Sequence, residues 1–159
     1  MNRLTALLAA LLLATTTLSP AYAADTAPAP AAAADPLAGA RALIADNKWA
    51  AAIEELKRVD AKDNADWNNL MGYSHRKAKT PDYAAAERYY DAALALNPKH
   101  RGALEYSGEL FLMLGDLPRA EQRLAALDKA CFLPCSEYTD LKNAIMKFKA
   151  NGNRVAAQN

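Results

Sequence analysis

Histidine, cysteine and glycine are all scarce in this chain: two, two and six residues in 159. His75 sits among Arg76 and Lys77, and His100 follows Pro98-Lys99. Neither has a second ligand at metal-binding spacing, so both read as surface or packing residues, and no metal or other cofactor is expected. The scattered glycines leave no Gly-rich loop to cradle a phosphate. Ser107 lacks the strand–turn–helix context of a hydrolase nucleophile. Nothing in the sequence assembles a catalytic constellation, and the expectation is a protein that is not an enzyme.

Charge of one sign is missing as well. The 19 basic residues include Arg3, and without it 18 face 18 acidic residues. An even balance argues against a chain built to coat nucleic acid or an anionic membrane, and for a mixed-charge protein surface as partner. Only one apolar run is long, Leu4 to Ala14, continued by Thr15 to Leu18. It follows Met1-Asn2-Arg3, is broken by Ser19-Pro20, and ends in the small-x-small exit Ala21-Tyr22-Ala23. That order describes a secretory signal at residues 1–23 with cleavage after Ala23. The run is too short and too rich in threonine for a spanning helix. No cysteine follows the cleavage site to carry a lipid, so the expected location is periplasmic or secreted, without membrane insertion. Residues 24–35, almost wholly Ala and Pro, have no large side chain to bury and read as a flexible leader. The remainder, 36–150, suffices for one domain, with a disordered tail at 151–159.

What is abundant is a repeated pattern. Trp49, Ala52, Leu56 and Val59 recur as Tyr83, Ala86, Tyr90 and Ala93, and again as Leu117, Ala120, Leu124 and Leu127, each time 34 residues on. Positions i, i+3, i+7 and i+10 lie on one stripe of an α-helix. The small residue in that stripe lets two helices approach, and its bulky neighbours fill the groove around it. A short turn precedes each stripe: Asp46-Asn47-Lys48, Thr80-Pro81-Asp82 and Gly115-Asp116. Each repeat therefore reads as helix, turn, helix. One spacing departs: Gly72 and Gly108 are 36 apart, which places two extra residues in the middle repeat, most naturally at Lys79-Thr80-Pro81. At the end of the chain Ser136 reads as the N-cap of a helix over 136–150, whose Tyr138, Leu141, Ile145 and Phe148 form one apolar stripe. Trp49, Trp67, Tyr83, Tyr89, Tyr90, Tyr106 and Phe111 read as core or repeat-signature residues before base-stacking platforms.

The middle copy, Trp67 to Pro98, resembles the tetratricopeptide repeat family through Trp67, Gly72, Tyr83, Ala86, Tyr90, Ala93 and Pro98. The third copy fits through Gly108, Phe111, Gly115-Asp116, Ala120, Leu124 and Leu127. The first is degenerate, with Ala40 where the family usually has glycine. The resemblance implies an all-α solenoid of three repeats, about 36–64, 65–100 and 101–133, closed by the 136–150 helix. It also implies a protein–protein scaffold that binds a peptide or a partner's helix on the concave face made by the first helix of each repeat. Carried through the Gly72 and Gly108 alignment, that face holds Arg41 and Ile44, then Asn69, Tyr73 and Arg76, then Glu105, Glu109 and Leu112. The two glutamates, one turn apart, repel each other unless a basic partner or Arg76 or Lys77 lies opposite.

Cys131-Phe132-Leu133-Pro134-Cys135 is the one feature the repeat does not demand. An exported pair is normally oxidised, and a bridge here closes a small loop that pins the last helix. The alternative is a redox-active dithiol, and hence a redox-responsive adaptor or oxidoreductase, although no strand-to-helix junction is visible. Metal or partner binding by the pair also stays open. No His follows Cys135, so the haem-attachment pattern is missing. Open solenoids also stack through exposed ends, which leaves self-association open.

Overall fold

The computed structural model describes residues 34–133 and 135–154. The signal and all but the last two residues of the leader fall outside the described residues, as does the tail beyond Arg154. Among the described residues there are seven α-helices and no strand. They are α1 (Ala38–Ala45), α2 (Trp49–Val59), α3 (Ala65–Lys77), α4 (Tyr83–Leu96), α5 (Arg101–Met113), α6 (Leu117–Ala130) and α7 (Ser136–Ala150). No described helix is long and apolar enough to cross a membrane.

The helices pair as the repeat demands: α1 with α2, α3 with α4, α5 with α6. Each first helix also touches the next first helix, and each second helix touches the following pair. The small residues of the stripe, Ala52, Ala86 and Ala120, are completely buried, where any larger side chain would force the paired helices apart. Three apolar clusters run along the stack. One joins Leu37, Leu56, Trp67 and Met71, the next Ala86, Tyr90, Ala93 and Leu110, the last Leu104, Phe111, Leu127, Leu141, Ile145 and Phe148. The Trp67 indole N–H donates to the Leu56 carbonyl at 2.7 Å, so the tie between α2 and α3 is polar as well as apolar.

The turns explain the spacings. Helices α3 and α5 start 36 residues apart, whereas α4 and α6 start 34 apart, so the two extra residues lie in the α3–α4 turn as expected. In the α1–α2 and α5–α6 turns the chain passes through a left-handed residue, Asn47 (φ 58°) or Gly115 (φ 78°). Both turns make the same pair of bonds. Lys48 N–H reaches Leu43 O, and Asp116 N–H reaches Phe111 O, each at 2.8 Å, as in a glycine-type helix stop. The longer middle turn runs through Pro81 instead, and Asp82 N–H bonds His75 O at 3.2 Å. Asp82 and Asp116, 34 apart, then cap α4 and α6 through the N–H groups of Ala85 and Arg119.

Two boundaries differ from expectation. Ser136 is the first residue of α7 and not its cap: Cys135 holds the cap position, without a side-chain bond, and the Ser136 hydroxyl donates to Glu137. At the other end Asp35 belongs to the fold, since its carboxylate accepts from Leu37 N–H at 2.9 Å. Helix α7 lies on α5 and α6 as the first helix of a further pair would. Leu141, Ile145 and Phe148 of its stripe are buried and Tyr138 is half-buried; Lys142, Met146 and Lys147 of its outer face are exposed.

Candidate partner-binding face

The first helices lie side by side in a constant register. Asn69 packs on Gly102, Tyr73 on Tyr106, Arg76 on Glu109, and Gly108 on Leu141, each pair 33 residues apart. Residues three to four apart on one helix therefore continue as rows across α3, α5 and α7.

At the middle of these rows sits an aromatic and cationic cluster. The rings of Tyr73 and Tyr106 are 4.6 Å apart, and Trp49, at the start of α2, meets Tyr73 edge-on at 5.7 Å. Arg76 lies beneath them with only 6% of its side chain exposed. Its guanidinium is 5.4 Å from the Tyr73 ring centre and 5.5 Å from that of Tyr106, within cation–π range. It also pairs with Glu109 at 2.8 Å, which supplies the counter-charge a buried cation needs. Lys77 reaches over the Trp49 ring at 6.0 Å and takes no carboxylate of α5. Burial pushes the Tyr106 phenol up to about 12, so it stays neutral and able to donate.

Toward α7 the character changes. Glu105 is only 9% exposed, and among the described residues it meets no hydrogen-bond or ion-pair partner. Burial, with the nearby charges of Glu109, Asp140 and Glu137, pushes its carboxyl up to about 7 despite Arg76.

Four of the seven expected groove residues, Tyr73, Arg76, Glu105 and Glu109, thus come together on one face. Three stand elsewhere. Leu112 is in the core under α7, 6% exposed, because α7 covers the α5 positions that a terminal repeat would leave open. Asn69 is buried in the α3–α5 seam, with its amide nitrogen 3.2 Å from where a Cβ on Gly102 would sit. Arg41 is tied at the rim to Asp35 (3.3 Å) and Asp66 (2.8 Å). Ile44 packs into the core of the first pair. The spacing argument missed Trp49 and Tyr106 as surface residues; both keep half-buried rings here, and their only sequence signal was aromatic character at a repeat position.

The histidines pack. His75 stacks on Tyr89 at 5.5 Å. His100 caps α5 by accepting from Ala103 N–H at 3.1 Å, while its other ring nitrogen meets Asp66 at 2.9 Å. Burial works against the Asp66 carboxylate, but His100 and Arg41 outweigh it and hold Asp66 below the usual range. Cys131 and Cys135 form a disulfide with Cα atoms 6.0 Å apart, joining the end of α6 to the start of α7. The loop it closes leaves Phe132 fully exposed.

Paired helices in a fixed register, with one face of aromatic and charged side chains, define a helical-repeat scaffold. The model of the tetratricopeptide repeat matches residues 81–145, from the turn before α4 into α7. That stretch of the chain is similar to the tetratricopeptide repeat family. Repeats of this family generally mediate protein–protein interaction, and the family is typically a non-catalytic scaffold. No curated protein matches the chain.

Proposed function

We propose that this protein is a non-catalytic scaffold of the cell envelope, exported by residues 1–23, that holds a peptide or helix of a partner on the first-helix face. The observation that carries this reading is the Tyr73–Tyr106 ring pair, half-buried and backed by a buried Arg76. Rigid aromatic side chains beside a fixed arginine are the usual anchors of an interface, because they bury much area at little cost in rotamer freedom. The disulfide is a staple for α7 and not a redox centre in this reading, since it links the last pair to the helix that covers it.

The test is site-specific photocrosslinking in intact cells. A benzoylphenylalanine at Tyr73 is expected to capture a discrete partner. The same probe at the exposed Arg88 of α4 is expected to capture none. Equal capture at both positions, or capture at neither, would remove the support for this face.

A further inference from the structure

We propose that the α5–α7 end of the first-helix face is a subsite for a cationic side chain, the guanidinium or ammonium of an arginine or lysine in the partner. The inference rests on the reading above that this face receives the partner.

Glu105 of α5 is buried without an ion-pair partner among the described residues. Glu109 of the same helix and Glu137 and Asp140 of α7 are near enough for their charges to act on it, without converging on one point. Their neighbours from the packed helices are two cations. Arg76 of α3 is committed to Glu109 at 2.8 Å, and Arg101 of α5 meets Glu137 only loosely, at 3.6 Å. Glu105 and Asp140 have no cation of their own among the described residues. A desolvated carboxylate without a partner is costly, and it is relieved either by a proton or by a cation from outside.

A second, separate observation points the same way. The Asn69 side chain is 8% exposed, and its carbonyl oxygen is buried without a hydrogen-bond donor. It lies in the seam against Gly102, one helical turn before Glu105 and Tyr106. A second acceptor, across the seam from the start of α5, is therefore left without a donor inside the fold. Next to it stand the Tyr73 and Tyr106 rings, which already accept the Arg76 guanidinium through their faces. A long, flat cation that reaches past the tyrosines satisfies both needs. A chelated metal ion fits less well, because no three His, Cys, Asp or Glu side chains among the described residues converge on one point.

The elevated carboxyl of Glu105 adds a signature. Below neutrality the site fills with a proton, so cation binding is expected to be about tenfold weaker at pH 6 than at pH 8.

The experiment uses the full chain, with N-acetyl-arginine methylamide as probe and N-acetyl-citrulline methylamide as its uncharged isostere, followed by backbone-amide NMR. Saturable shifts at Gly102, Tyr106 and the first turn of α7 are expected with the arginine compound, at least fivefold weaker with citrulline and lost in Glu105→Gln. Equal response to both compounds, no response to either, or unchanged binding by Glu105→Gln overturns the proposal. The citrulline comparison needs no variant to fold. If arginine binds here but photocrosslinking at Tyr73 captures nothing, the subsite stands and the partner-face reading fails. The reverse pattern keeps the face and removes the subsite.

Discussion

Replacing Gly72 with alanine tests whether the close approach of α3 and α4 is as tight as the repeat requires. A Cβ at this position would lie 2.7 and 2.8 Å from two ring carbons of Tyr90 and 3.1 Å from the Ala86 carbonyl oxygen. The ring is completely buried and the carbonyl belongs to the α4 backbone, so neither moves without shifting the helix. Alanine gains about 1 kcal/mol over glycine in a helix interior. Overpacking of a filled core costs about 1–3 kcal/mol, and contact with backbone and a locked ring together places this case in the upper half of that range. The net expectation is a loss of about 1–2 kcal/mol, read as a lower urea midpoint with unchanged slope, followed by the fluorescence of buried Trp67. Gly39→Ala is the control, since the added methyl meets only the flexible end of Glu55, at 3.0 Å. It should be neutral or stabilise by up to about 1 kcal/mol. A Gly72→Ala protein as stable as the wild type would refute the claim that the α3–α4 contact admits only glycine there.

Three further outcomes are expected. Trp67→Phe keeps most of the apolar contact but leaves the buried Leu56 carbonyl without its 2.7 Å donor, at a cost of about 1–3 kcal/mol in chemical denaturation. Folded Glu105 binds its proton more tightly than the unfolded chain does, with a carboxyl near 7 against 4.5, so its contribution to stability falls as pH rises between those values. Glu105→Gln should therefore stabilise by about 1–2 kcal/mol at pH 8, discounted because the carboxylate still reaches solvent, and change little at pH 4; equal effects at both would refute the assignment. Reducing the Cys131–Cys135 bridge should cost no more than about 2 kcal/mol, since a five-residue loop removes little entropy from the unfolded chain, with amide exchange rising first in α7.

The helices were legible because the sequence repeats its packing rules as well as its residues. Ala52, Ala86 and Ala120 mark helix crossings wherever they recur, and burial is complete at all three. The two-residue excess in the middle repeat could be placed because glycines of the first helix and alanines of the second keep separate periods. The misassigned cap of α7 shows where local rules stop. Serine is a good N-cap by propensity, but Cys135, bridged to Cys131, holds that position and Ser136 is the first residue of the helix.

The candidate face was only half legible, for a geometric reason. Spacing along one helix says which residues share a stripe, but not which edge of that stripe the next helix covers. The offset of 33 between contacting residues on neighbouring first helices differs from both sequence periods, 34 and 36, so carrying positions from repeat to repeat drifts around the helix surface. Leu112 thereby fell under α7, and Tyr106 emerged beside Tyr73. The same offset sets the charge pattern. It brings Arg76 to Glu109 and leaves Glu105, one turn earlier, facing Glu137 and Asp140 of α7. A pair of glutamates that looks symmetric in sequence is thus divided into one that is neutralised within the fold and one that is left for a ligand to neutralise.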